Sequence, residues 1–367
     1  MRMLDFENHY TRTTSEKMKR LILMTLFRQI YWVGTSTALL AAGVVLAGST
    51  SGASRQEIGG KALTETELVH EIFNTMVQVP GNKTGYRVAH AKGIVCQGTF
   101  TPSKDAPILS RAAHFQGVSV PVTVRFSDGA PDPVVPDNSP NAGPRGMAMR
   151  FKLPGGDETD LVVQSHNGFA VSTGEEFLAL QKAVVATDPT KPHPWPMEGF
   201  LTTHPSAMKF VVENRVVPAS FATVAFFSSD AFIFVNRDGV KQAGRYQIIP
   251  SAGQHNLSEQ EAKTKAANFL VEDLRTRLSA GPIDYHLLVQ LANAGDPTAD
   301  PSIVWPEDRK TIDIGIISIT SLVADSSAAE KELAFDPTYL TDGIELSDDP
   351  FPRLRSKVYT LAVSHRQ

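Results

Sequence analysis

Two side chains one helical turn apart, Arg355 and Tyr359, carry the first chemical signal in this chain. Read as a helix, the run Arg353–Gln367 places Arg355, Tyr359, Ala362 and Arg366 on one face, at spacings of four, three and four residues. Leu354, Val358 and Leu361 fall on another face. A guanidinium one turn from a phenol favours the phenolate, and a phenolate is a hard oxygen ligand for ferric iron. The pattern suggests a metal or haem site. The same spacing is common on ordinary helix surfaces, so other residues have to decide.

Two segments upstream add to it. In Tyr86–Gly93 a histidine, His90, stands between two alanines with Arg87 three residues before it. Small neighbours leave room for a flat ligand, and a histidine there can move a proton near neutral pH. In Val118–Ser127 every even position is apolar, so Ser119, Thr123, Arg125 and Ser127 share the opposite face of a strand. Arg125 then faces either solvent or a polar-lined pocket.

The elements that must hold these residues are legible in outline. Thr64-Glu-Thr-Glu67 is a capping box that opens a helix to about Met76. Ser258-Glu-Gln-Glu261 opens a longer one to about Leu278, ended by Ser-Ala-Gly281-Pro282. Between them, Val118–Ser127, Gly146–Lys152, Leu161–Val163 and Ala231–Val235 read as strands separated by Gly, Pro and Asp turns. Strands in the middle with helices at either end indicate an α+β fold, most simply an antiparallel sheet or barrel with helices packed outside.

Composition limits the chemistry further. The 367 residues are 42% hydrophobic and 20% charged, an ordinary globular balance, and a formal charge of −4 gives no reason to expect nucleic acid. The single cysteine, Cys96, excludes an internal disulfide and a thiolate metal cage and reads as a small buried hydrophobe. His193, His204, His255 and His286 show no metal-ligand spacing. Ile30–Gly48 is a charge-free, mostly apolar stretch of 19 residues, preceded by Lys17, Lys19, Arg20 and Arg28. Small residues follow it, so residues 1–53 read as a cleaved signal peptide or, alternatively, an N-terminal single-pass membrane anchor. That places residues 54–367 in the periplasm, or on the periplasmic side of the inner membrane. Residues 1–53 hold six basic and three acidic side chains, so their removal takes the formal charge from −4 to −7.

Together these segments resemble the haem catalases. Arg87-Val-Ala-His90-Ala-Lys-Gly stands where that family has its distal-histidine strand, and Val-Arg125-Phe-Ser127 where it has the strand supporting that histidine. Pro144-Arg-Gly-Met-Ala-Met-Arg-Phe151, the run Phe335–Glu345 and Arg355-x-x-x-Tyr359 follow in the family's order, from about residue 64 to the C-terminus. The resemblance implies an antiparallel β-barrel of the haem-catalase type with flanking helices. The chain stops eight residues after Tyr359, where longer catalases continue into a C-terminal helical domain, so it looks like the short catalase-related peroxidases.

What the resemblance implies for single residues is specific. Tyr359 would be the axial haem-iron ligand, with Arg355 holding it ionised, the tyrosine ligation known for catalase. His90 would be the distal acid/base and Ser127 would orient its ring. Arg87, Arg125 and Arg366 would pair with the haem propionates. Phe169 would pack on the distal side of the haem, and Phe177 would line the access route. Ungapped alignment from Asp160-Leu-Val through Phe169 and Phe177 puts Gln164 in place of the family's distal asparagine, with His166 and Asn167 close by. The implied activity is a haem b peroxidase that reduces hydrogen peroxide and organic hydroperoxides, through a ferryl state, with a small-molecule electron donor. The alternatives are a minimal catalase that dismutates hydrogen peroxide, and a periplasmic haem-binding protein with little turnover. The implied assembly is a monomer or small homo-oligomer.

Overall fold

A computed structural model describes residues 62–366 of the chain; the proposed signal or anchor over residues 1–53 lies outside them. Among the described residues, ten strands make one antiparallel sheet: β1 Gly93–Pro102, β2 Val120–Ser127, β3 Gly146–Lys152, β4 Glu158–Gln164, β5 Phe226–Phe227, β6 Phe232–Val235, β7 Lys241–Pro250, β8 Ile283–Leu291, β9 Thr311–Leu322 and β10 Ile344–Leu346. Their hydrogen-bonded order is β10-β6-β7-β5-β4-β3-β2-β1-β9-β8, and β8 pairs back onto β7. Eight strands therefore close a barrel, while β6 and β10 extend it beside β7. Closure removes the exposed sheet edge that an open antiparallel sheet would present. The expected α+β barrel is the fold observed.

Alternation decides which face holds the core. Val122, Val124 and Phe126 of β2 pair with Phe151, Met149 and Met147 of β3, and all six are buried inside the barrel. The outer face carries Arg125 opposite Ala148 and Ser127 opposite Gly146, and the next pairing sets Gly146 opposite Gln164. Arg125 and Ser127 are only 4% and 3% exposed, so this outer face is a covered, polar-lined pocket wall and not a solvated surface. Cys96 points into the core with no exposure, and burial pushes its thiol up to about 12.

Nine helices, among the described residues, connect and cover the strands: α1 Glu65–Val77, α2 Ala106–Leu109, α3 Gly174–Ala186, α4 Pro196–Thr203, α5 Pro205–Glu213, α6 Glu259–Thr264, α7 Phe269–Ala280, α8 Ser326–Glu332 and α9 Phe351–Arg366. α1 opens with the expected capping box, in which Thr64 and Glu67 satisfy each other's backbone N–H. α9 is continuous through the Arg355–Tyr359 pair, as the spacing predicts. None of these helices is long and apolar enough to cross a membrane.

Two expectations need correction. The long helix from Ser258 is two helices, because the break at residues 265–268 gives its polar groups to tertiary partners. The carbonyl of Ala267 accepts from the Asp137 N–H and from Lys92 Nζ, and the carbonyls of Ala262 and Lys265 accept from Asn138 Nδ2. The strands are also not confined to the middle of the chain. β8 and β9 follow α7 and supply the staves that close the barrel.

Candidate active site

His90 does not lie in a strand. It precedes β1 and has φ 54°, the only non-glycine residue with positive φ among the described residues. Its N–H donates to the Gly129 carbonyl at 3.1 Å, and that of Ala91 to the Ala130 carbonyl at 3.0 Å, so the segment hangs on the turn after β2. A side chain that accepts such a backbone angle is fixed by its surroundings. Its Nδ1 lies 3.0 Å from Ser127 Oγ, which leaves Nε2 as the working nitrogen. Burial, followed by the charges of Arg125, Arg355 and Arg87, pushes the imidazole down to about 3. It is therefore neutral, and a proton acceptor, throughout the physiological range.

Gly146 makes room for this couple. A Cβ there would lie 2.6 Å from Ser127 Oγ and 2.7 Å from His90 Nδ1. The glycine of the Pro144-Arg-Gly sequence is thus the floor beneath the histidine.

Three arginines from distant parts of the chain meet beside it. Arg125 donates through Nε and Nη2 to the Glu330 carboxylate at 2.7 and 2.9 Å, and through Nη2 to the His90 carbonyl at 2.8 Å. Arg87 Nη2 and Arg366 Nη1 both donate to the carbonyls of Glu330 and Leu333, at 2.8–3.3 Å. Those carbonyls end α8, where a helix presents unpaired acceptors and partial negative charge. Arg87 Nε is buried without a hydrogen-bond partner, and the nearest carboxylate oxygen, on Glu330, is 3.8 Å away. Burial, then repulsion from Arg125 and Arg366, draws the Arg87 guanidinium down to about 9. The cluster holds more positive charge than Glu330 can balance.

On α9, Arg355 donates to Tyr359 Oη through Nε at 3.3 Å and Nη2 at 3.1 Å, and through Nη1 to Asp230 at 2.8 Å. An oxygen held by two guanidinium N–H groups is fixed in place as a hard donor for a metal. Burial works against the Arg355 cation, but Tyr359 and Asp230 hold it protonated, above its ordinary value. Burial raises the Asp230 carboxyl, and Arg355, then Arg245, pulls it back. Asp349 lies in the same network, raised to about 7 by burial and then by Asp230. A buried pair such as Arg355–Asp230 is costly to break, about 3–5 kcal/mol, because one charge is left stranded.

The remaining predicted residues line the surroundings. The Phe169 ring centroid lies 5.7 Å from that of Phe177, 5.1 Å from Phe351 and 5.9 Å from Phe210. Gln164 shares the outer face with Ser127, but its Nε2 donates to the Gly168 carbonyl at 2.9 Å and to Ser229 Oγ at 3.0 Å. Both amide hydrogens are spent, and only the acceptor Oε1 remains for a ligand. His166 stacks edge-on against Phe210, and burial pushes its ring down to about 4. Sequence reasoning missed Glu330, Asp230, Asp349 and the role of Gly146. Only Gly146 left a trace, inside the Pro-Arg-Gly motif.

A family model for catalase matches residues 45–367. The chain belongs to the catalase family. It is 37% identical over 289 residues to a catalase-related peroxidase of Mycolicibacterium paratuberculosis, which covers 78% of this chain and 90% of the relative. A catalase-related peroxidase of Synechococcus elongatus is 30% identical over 344 residues, covering 92% and 97%. The resemblance to the short catalase-related peroxidases is carried by these two relatives. Wheat (Triticum aestivum) catalase is 25% identical over 315 residues, and there the match spans 81% of this chain but only 63% of the relative. Among solved structures, a fungal catalase superposes with a TM-score of 0.69 at 20% identity, covering 86% of this chain and 66% of that one, a likeness of fold.

Catalase-family membership implies haem, and the side chains here fit it. Haem is flat and carries two carboxylates; the site offers a glycine-floored wall, an under-neutralised arginine cluster with an orphaned buried N–H, and a tyrosine oxygen activated by arginine. Gly146→Ala is expected to swing the imidazole off Ser127 and cut peroxide turnover by roughly ten- to a hundredfold, with haem content unchanged. Steady-state assays checked by optical spectra test this; full turnover would show that the His90–Ser127 contact is dispensable.

Proposed function

We propose that the protein is a haem b peroxidase that reduces hydrogen peroxide and organic hydroperoxides at the expense of a small-molecule electron donor. The observation that carries the reading is His90 Nδ1 fixed at 3.0 Å on Ser127 Oγ while the ring stays neutral. A carrier needs an axial ligand but no such acid/base.

In this reading Tyr359 holds the iron through Oη, and Arg87, Arg125 and Arg366 hold the carboxylates. When bound, haem would supply the two electrons that cleave the O–O bond, and the donor would later return them. His90 accepts the peroxide proton at Nε2 and returns it to the departing oxygen, so the O–O bond breaks heterolytically and water or an alcohol leaves. Ser127 keeps the ring in place through both transfers. Two electrons and two protons from the donor then complete the reduction.

Gln164 favours donor-dependent turnover over dismutation. A second peroxide would have to be positioned to give up its electrons, and the amide that would orient it has both N–H groups committed elsewhere. With hydrogen peroxide as substrate, donor oxidation is expected to outpace oxygen evolution, and an alkyl hydroperoxide should be accepted in its place. Parallel donor-oxidation and oxygen-electrode assays test this. Oxygen release at a rate comparable to donor oxidation would establish the minimal-catalase reading instead. Residues 17–53 support a periplasmic setting, through their basic, apolar and small-residue succession.

A further inference from the structure

Glu330 has no part in the reaction just described, yet it is built into the arginine cluster. It sits on α8, which lies against β1 and is tied to it by the Val95 N–H donating to Ser326 Oγ at 2.8 Å. Its carboxylate takes Arg125 with both oxygens and approaches Arg87 Nε at 3.8 Å. The pair packs over Gly93, where a Cβ would lie 2.3 Å from Arg125 Nη2 and 2.6 Å from Glu330 Oε1. Glycine at 93 is what lets the two meet. The Glu330 side chain remains 17% exposed, so this end of the cluster opens towards solvent.

Charge gives the arrangement its meaning. Without a further anion, three guanidiniums share one carboxylate, and a buried unpaired guanidinium is costly. Resting on the haem reading above, we propose that Glu330 is an internal stand-in for the haem carboxylates: it occupies Arg125 in the haem-free chain and is displaced as haem enters. The bidentate bond on Arg125 has the geometry a propionate would need. Arg87 and Arg366, by contrast, are hydrogen-bonded only to main-chain carbonyls, with Glu330 no closer to Arg87 than 3.8 Å, and keep N–H groups for a carboxylate. An internal competitor of this kind keeps the empty protein stable at the expense of ligand affinity.

The test is a titration of the haem-free protein with ferric protoporphyrin IX, comparing wild type, Glu330→Gln and, as a charge control on the same helix, the exposed Glu332→Gln. Glu330→Gln is expected to bind roughly tenfold more tightly, to melt at a lower temperature when haem-free, and to gain nothing for the protoporphyrin dimethyl ester, whose carboxylates are blocked. Glu332→Gln should match wild type. Equal or weaker binding by Glu330→Gln, or an equal gain with the ester, would overturn the proposal and leave the haem reading standing. If no protein takes up the porphyrin, the haem reading falls, and this proposal with it. Should Glu330→Gln not fold, Glu330→Asp keeps the charge but withdraws it by one methylene from Arg125, and the same gain is expected from it.

Discussion

His90→Ala is expected to lower the rate of peroxide cleavage by about 10²–10⁴-fold while leaving haem bound and its spectrum intact. The residue owes this weight to its environment more than to its type. Burial and three neighbouring guanidiniums keep the ring unprotonated down to about pH 3, and Ser127 occupies Nδ1, which leaves Nε2 for a proton transfer. The sign follows from the direction of the shift. The folded value lies below the ordinary histidine value, so the base form persists as pH falls through the range where a free imidazole would charge. Wild-type peroxide cleavage, followed by rapid mixing, should show no inflection near pH 6.5. A mutant as fast as wild type would remove His90 from the reaction; an inflection near 6.5 would mean the ring is far less buried than described.

Tyr359→Phe is expected to have the second large effect, a loss of haem affinity of about a hundredfold or more and a changed optical spectrum in whatever haem remains. Phenylalanine removes the one side-chain oxygen that Arg355 addresses with Nε and Nη2, so both N–H groups lose their acceptor and Asp230 becomes the sole partner. The cost therefore falls on ligation and on the buried network behind it. Porphyrin titration and absorbance spectra of the two proteins decide the point. Identical spectra would exclude tyrosine as the axial ligand.

Much of the site was legible because its residues obey local periodicities. Arg355 and Tyr359 meet across one turn of α9, and Arg125 and Ser127 share one face of β2 by alternation, so spacing alone places each pair. What spacing cannot reach is a partner from elsewhere in the chain. Glu330 sits on a short surface helix and Asp230 follows two serines after β5; neither context differs from that of any solvated acid until the barrel closes. His90 shows a different limit. The sequence suits a strand, but φ 54° turns the chain before β1, and only the contacts with Gly129 and Ala130 explain why it does so. The break between α6 and α7 has the same kind of cause, since hydrogen bonds from residues 137 and 138 replace those a continuous helix would have made.

The arginine cluster described above also bears on timing. Arg87 reaches carbonyls 243 and 246 residues further along the chain, and Arg366 reaches the same two carbonyls from the other side. Contacts so distant in sequence form late, because the chain between them must be ordered first. A polypeptide leaving the ribosome has Arg87 and Arg125 in hand long before α9 exists. Until α9 docks, neither Tyr359 nor the third guanidinium is in place, so a site that needs all of them is assembled only when segments as far apart in the sequence as Arg87 and Arg366 have met.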